Sequence, residues 1–213
     1  FSRLAEANPA PTTELEYSNP YTLLVAVVLS AQATDVSVNL ATRELFRRVR
    51  TPQQMLALGE DALREQIKSI GLFNTKAKNV IALSQALIER HGGEVPADLT
   101  SLTALSGVGR KTANVVAAEL GRPQGIVVDT HVRRLSQRLG LTRQEDPVKI
   151  ERDLMRLVPR ADWGRFPHLL IWHGRRVCIA RRPLCEEEAE RMHLIAERWV
   201  AKHLPETDPE EAL

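Results

Sequence analysis

Leu102-Thr103-Ala104-Leu105-Ser106-Gly107-Val108-Gly109-Arg110-Lys111-Thr112-Ala113-Asn114 reads as the end of one helix, a tight turn and the start of another. Two glycines bracket a single apolar residue. Glycine at such positions lets the backbone turn sharply and approach a ligand with no Cβ in the way. The N–H groups that open the second helix then face outward at its positive end, where a phosphate is well placed. A lone Gly-Val-Gly is also what an ordinary interhelical turn contains, so its meaning depends on the sequence around it.

Moving outward, the apolar periodicity is helical almost throughout, and no alternating strand pattern closes on an Asn-Gly or Asp-Gly turn. Asn19-Pro20, Thr51-Pro52 and Asp146-Pro147 each set a side-chain acceptor before a proline, as an N-cap before the first helical position does. Helices are expected over residues 20–31, 35–49, 52–58, 61–70, 75–91, 99–105, 109–120, 130–139, 147–157 and 163–175, giving an all-α fold. A further amphipathic helix is expected over 187–203, with Met192, Ile195, Ala196, Trp199, Val200 and Leu204 on one stripe.

Composition narrows the classes. The 213 residues carry 29 Lys and Arg against 27 Asp and Glu, a net charge of +2. Residues 186–213 hold nine acidic and three basic residues, a net of −6, which leaves +8 on the preceding body. A body that basic attracts a polyanion, although a solvated mixed-charge surface with an acidic tail fits the same numbers. The longest apolar run, 23–29, is far short of the roughly 20 residues that span a bilayer. The opening residues do not read as a charged, apolar, small-residue leader, so export is not expected, and the start at Phe1 without a methionine is expected of a fragment or processed chain lacking a few N-terminal residues. Two cysteines make no disulfide framework, which fits a reducing cytoplasm.

The hairpin and its surroundings resemble the helix-hairpin-helix DNA glycosylases, and within them the endonuclease III family. The likeness runs through Leu29-Ser30-Ala31-Gln32-Ala33-Thr34-Asp35-Val36-Ser37-Val38-Asn39, Ile70-Gly71-Leu72-Phe73-Asn74-Thr75-Lys76-Ala77, the hairpin with Val128-Asp129-Thr130-His131-Val132-Arg133-Arg134, and Trp172-His173-Gly174-Arg175-Arg176-Val177-Cys178. It covers roughly residues 14 to 185. The resemblance implies two helical domains with a DNA-binding cleft between them. The first, 13–123, would be a six-helix domain holding the hairpin. The second would combine 1–12 with 124–213, a C-terminal helix standing in place of the family's cluster loop. It implies a base-excision repair enzyme that removes oxidised pyrimidines from duplex DNA and then cleaves the abasic strand. A monomer working in the cytoplasm, associated with the nucleoid and with no membrane, is expected.

Residue by residue, the resemblance puts the family's Schiff-base lysine at Lys111. A free lysine is less than about 0.1% neutral at pH 7, so an attacking amine needs its pKa lowered by desolvation, neighbouring cations such as Arg110, or the positive helix end. Lys111 would otherwise be a solvent-facing phosphate contact. Asp129 is a helix N-cap from its position before the 130–139 helix, and the resemblance adds a carboxylate facing the sugar. Gly107, Val108, Gly109, Arg110 and Thr112 fall in the DNA-binding hairpin. Gln32 and Leu72 match the two residues that plug the gap left by a flipped base; their other readings are an exposed amide and a core leucine. Ser30, Asp35 and His131 match pocket residues, or are simply structural. None of the steps requires a metal or redox cofactor.

One element of the pattern is missing. The family holds a four-iron four-sulfur cluster with cysteines spaced C-x6-C-x2-C-x5-C. This chain has Cys178 and Cys185, then Glu188 and Leu194 at the third and fourth positions. No cluster is therefore expected, and the two cysteines are read as remnants, free to pair if close enough. His173, Cys178, Cys185 and His193 are spaced like no common zinc site. Two alternatives stay open: an adenine glycosylase of the same superfamily, and a non-catalytic helix-hairpin-helix DNA-binding protein.

Overall fold

The computed structural model describes Leu4 and residues 13–181. The expected 187–203 helix, Cys185 and the acidic tail lie outside the described residues. Ten α-helices occur among those described: α1 Pro20–Leu29, α2 Asp35–Arg48, α3 Pro52–Leu58, α4 Glu60–Gln66, α5 Phe73–His91, α6 Leu99–Thr103, α7 Arg110–Glu119, α8 Thr130–Arg138, α9 Pro147–Leu157 and α10 Arg165–Arg176. A single 3₁₀ turn, Arg160–Asp162, precedes α10. No strand is present among the described residues.

The three cap-proline signals open helices as their chemistry requires. Asn19 forms a capping box with Thr22, Thr51 accepts from the Gln54 amide at 3.2 Å, and Asp146 accepts from the Lys149 amide at 3.0 Å. Elsewhere the boundaries move for backbone reasons. Gly59, at φ +81°, closes α3 and opens α4. α4 stops at Gln66, short of the expected Ile70, because Ile67 leaves helical geometry and its carbonyl takes the Ile70 amide at 2.9 Å. α5 begins at Phe73, two residues early, because Leu72 turns left-handed and acts as its N-cap without a side-chain bond.

The chain forms two compact units, Thr13–Gln124, and Phe1–Thr12 with Gly125–Leu213. The first unit contains α1 to α7, with Gly59 between α3 and α4. Its boundary falls after Gln124, whose side chain bonds the Ala97 carbonyl and the Leu99 amide. Its centre is α1, buried at every position after Pro20. Such all-round burial leaves α1 no solvent face, so neighbouring helices must enclose it. α2, α5 and α7 pack on it, contributing Val38, Leu45, Val80, Leu83, Ala113, Val116 and Ala117. The second unit has its own core of Ile126, Val132, Leu135, Ile150, Leu154, Phe166 and Leu170, with Leu4 against it.

The two hairpin glycines make different demands. Gly107 sits at φ +77°, and a Cβ there would lie 2.9 Å from Asn79 Nδ2 and 3.0 Å from Asn79 Cβ. Gly109 has an ordinary extended backbone at φ −83° and nothing within 4 Å. Gly107→Ala is expected to lower stability by about 1–3 kcal/mol, and Gly109→Ala by no more than about 0.5 kcal/mol. Thermal unfolding of the two variants checks this, and equal losses would contradict it.

Candidate DNA interface

Lys111 occupies the second position of α7 and is exposed, with Arg110 exposed before it and Thr112 half-buried after it. Gly109 caps α7 with backbone alone, so the first-turn amides of α7 have no capping side chain. A helix start capped by backbone alone and followed by basic side chains suits phosphate. Val108 is different: it is 5% exposed, part of the first unit's core, and its amide donates to the Leu105 carbonyl at 3.1 Å. Its side chain therefore anchors the hairpin from beneath.

Gln32 and Leu72 share a feature that residue type does not reveal. They are the only non-glycine residues among those described with positive φ, at +55° and +60°. Both are exposed, Leu72 by 59%, so the core-leucine reading of Leu72 fails. A leucine in the left-handed region costs about 1–2 kcal/mol, and leaving it in water forgoes its burial as well. Ser30, two residues before Gln32, ends α1 and donates its hydroxyl to the Val27 carbonyl at 2.9 Å. Asp35 is the half-buried first residue of α2, behind the Thr34 cap.

In the second unit, Asp129 is the N-cap of α8, accepting from the Val132 amide at 2.8 Å and half-buried. That bond uses one carboxylate oxygen and leaves further acceptor capacity. His131 lies two residues on. Burial holds its pKa below the usual 6.5, and the Arg134 and Arg175 cations push the same way against the Asp129 carboxylate and a hydrogen bond to the Gly174 backbone. The imidazole is accordingly neutral at pH 7. Arg134 Nη2 stands 3.4 Å from its Nδ1.

Sequence reasoning passed over Lys76. It is only 4% exposed, its Nζ has no hydrogen-bond partner among the described residues, and burial lowers its pKa. The signal was available: Phe73, Lys76, Ala77, Val80, Leu83 and Leu87 recur at helical spacing, which puts Lys76 on the buried stripe of α5. It sits one turn after Leu72, whose carbonyl accepts the Lys76 amide at 3.0 Å.

The comparisons with known proteins bear on family and fold. Residues 25–160 match the family described as HhH-GPD superfamily base excision DNA repair protein. Endonuclease III of Haemophilus influenzae is 52% identical over 186 residues, covering 87% of this chain and 88% of that one. A non-covalent endonuclease III–DNA complex superposes with a TM-score of 0.84 at 40% identity, covering 94% of each chain. A trapped endonuclease III–DNA covalent intermediate superposes at 0.82 with 43% identity, covering 87% of this chain and 88% of that one. Among the described residues no helix is long and apolar enough to cross a membrane.

Lys76→Met should raise stability at pH 7 by about 1–3 kcal/mol, because it removes an unpartnered buried polar group while keeping its shape. The sign with pH follows from the lowered pKa. Between that value and the free side chain's 10.5 the unfolded chain holds the extra proton, so wild-type stability rises with pH across that window. The variant should lack the rise. Denaturant titrations from neutral to alkaline pH measure both effects.

Proposed function

The chain belongs to the endonuclease III family within the HhH-GPD base excision DNA repair proteins, and from that footing we propose that it removes oxidised pyrimidines from duplex DNA and then cleaves the abasic strand through a Schiff base on Lys111. The observation that carries this reading is the pair of exposed left-handed residues, Gln32 and Leu72. Strain of this kind persists where function holds it in place. A base inside a duplex is beyond the reach of any side chain until it is flipped out, and the gap must then be filled. A polar and an apolar side chain, each held outward on a fixed backbone, are suited to that work.

The hairpin holds the DNA backbone through the uncapped first turn of α7 and the side chains of Arg110 and Thr112. The Lys111 amine then attacks C1′ of the flipped nucleotide. The C1′–N bond breaks, its electron pair leaves with the base, and the opened sugar becomes an imine on the Lys111 nitrogen. Asp129 favours the cationic character that develops at C1′ and takes up the proton released by the amine. Loss of a proton from C2′ expels the 3′ phosphate, and hydrolysis of the imine restores the amine. Ser30 and Asp35 in the first unit, and His131, neutral at pH 7, in the second, carry the roles of the family's pocket residues. In this reading the substrate is duplex DNA with a damaged pyrimidine or an abasic site, and the enzyme is a monomer working in the cytoplasm.

Borohydride added to the protein with a thymine-glycol or abasic duplex should give a covalent adduct, and Lys111→Ala should abolish it. Binding without an adduct would favour a non-catalytic binding protein. Cleavage of an adenine mispair only after alkali would favour a monofunctional adenine glycosylase. Leu72→Gly should leave stability unchanged or raise it by up to about 1 kcal/mol, since glycine accepts positive φ. Excision of a paired, damaged base should nevertheless slow by tenfold or more, about 1.4 kcal/mol of barrier. Thermal melts with single-turnover excision measure the two together, and unchanged excision would remove Leu72 from the mechanism.

A further inference from the structure

The family's cluster needs four thiolates, and the complete sequence offers two, Cys178 and Cys185. Among the described residues no three of His, Cys, Asp and Glu come together as metal ligands. The donor set does not fit the group, and Cys178 is engaged otherwise. It is buried, and its Sγ lies 3.2 Å from Arg138 Nη1.

That contact is one of five made by two arginines of α8 to the end of α10 and the turn beyond it. Arg134 Nη2 donates to the carbonyls of Gly174 at 2.9 Å and Cys178 at 2.8 Å. Arg138 donates from Nη1 to Cys178 Sγ and the Ile179 carbonyl at 3.3 Å, and from Nη2 to the Ala180 carbonyl at 2.8 Å. We infer that these two guanidinium groups clamp the 174–180 segment to α8, performing in this chain the holding role for which the family uses iron, so that the enzyme works without a cluster.

The physical grounds are local. A helix end leaves carbonyls without intrahelical partners, and its partial negative charge favours cations. A planar guanidinium, always charged, can serve several acceptors at once. Residues 134 and 138 lie one turn apart on α8, so both reach the same neighbour. Gly174 makes the approach possible: a Cβ there would stand 3.1 Å from Arg134 Nη2 and 3.0 Å from His131 Nδ1. The clamp also fixes the helix that Asp129 caps. The inference concerns how this segment is held and is independent of which lesion the enzyme removes.

The test uses the full chain, expressed with added iron and purified without oxygen. No stoichiometric iron, no acid-labile sulfide and no broad visible absorption band are expected. Cys178→Ser, which keeps an acceptor, should melt with the wild type. Arg138→Met should lower the melting temperature by roughly 5–10 °C, and Arg138→Lys, a single point charge, should fall between. The graded lysine variant keeps the comparison informative if the methionine variant does not fold. Stoichiometric iron that disappears in Cys178→Ser would overturn the inference. So would Arg138 variants that melt with the wild type.

Discussion

The first unit depends on α1 having no face left for water. Nine successive residues from Tyr21 to Leu29 are buried, so every neighbouring helix is placed by the need to cover them. α7 is one of those neighbours, and it inserts Ala113, Val116 and Ala117 while its first turn projects beyond the core. The direction in which Lys111 is offered is thus set by packing on the other side of its own helix. Gly107 completes the placement from a second direction, since the turn can rest on Asn79 of α5 only without a Cβ. α5 carries the Leu72 turn at its start as well. One helix therefore supports both the hairpin and the left-handed Leu72 turn, and a shift in α5 would disturb the two together.

Much of this was legible because it is written in residue chemistry with short range. Caps at Asn19, Thr51, Asp129 and Asp146 each need one acceptor at one position, and the helices begin where those acceptors stand. The hairpin is legible for the same reason. What sequence could not reveal is backbone conformation that runs against residue preference. Nothing about a leucine or a glutamine announces positive φ; the surrounding fold imposes it. Val108 shows a related limit, because a residue inside a binding motif serves it by being buried. Lys76 is the opposite case, where the periodicity was plain and the charge obscured it.

Charge counting gains meaning from the same details. The body's excess of basic residues suggested a surface for phosphate, and Arg110 and Lys111 stand where that requires. Arg134, half-buried, and Arg138, exposed, belong to the same count but are engaged with carbonyls and a thiol. Net charge therefore overstates the part of the molecule that DNA can meet. A basic helix can be a binding surface, a structural clamp, or both on different faces, and only the acceptors opposite each guanidinium tell them apart.

Three features of this chain work against its own stability: a left-handed leucine held in water, a left-handed glutamine beside it in function, and a lysine amine sealed without a partner. Each costs on the order of 1 kcal/mol or more, against a net stability of only about 5–15 kcal/mol for a typical domain. A fold selected for stability alone would discard them, since glycine or methionine at those positions keeps the shape without the penalty. All three lie in the unit that carries Lys111, and two are within one turn of each other at the start of α5. Among the described residues, buried side-chain atoms without a partner also occur on α8, at Arg134 Nε and Ser136 Oγ, so the cost is not confined to the first unit. The α8 arginines supply the complementary requirement, a mount for the carboxylate: Arg134 Nη2 bonds the Gly174 and Cys178 carbonyls although its Nε is buried without a partner among the described residues, and Asp129 caps the same helix.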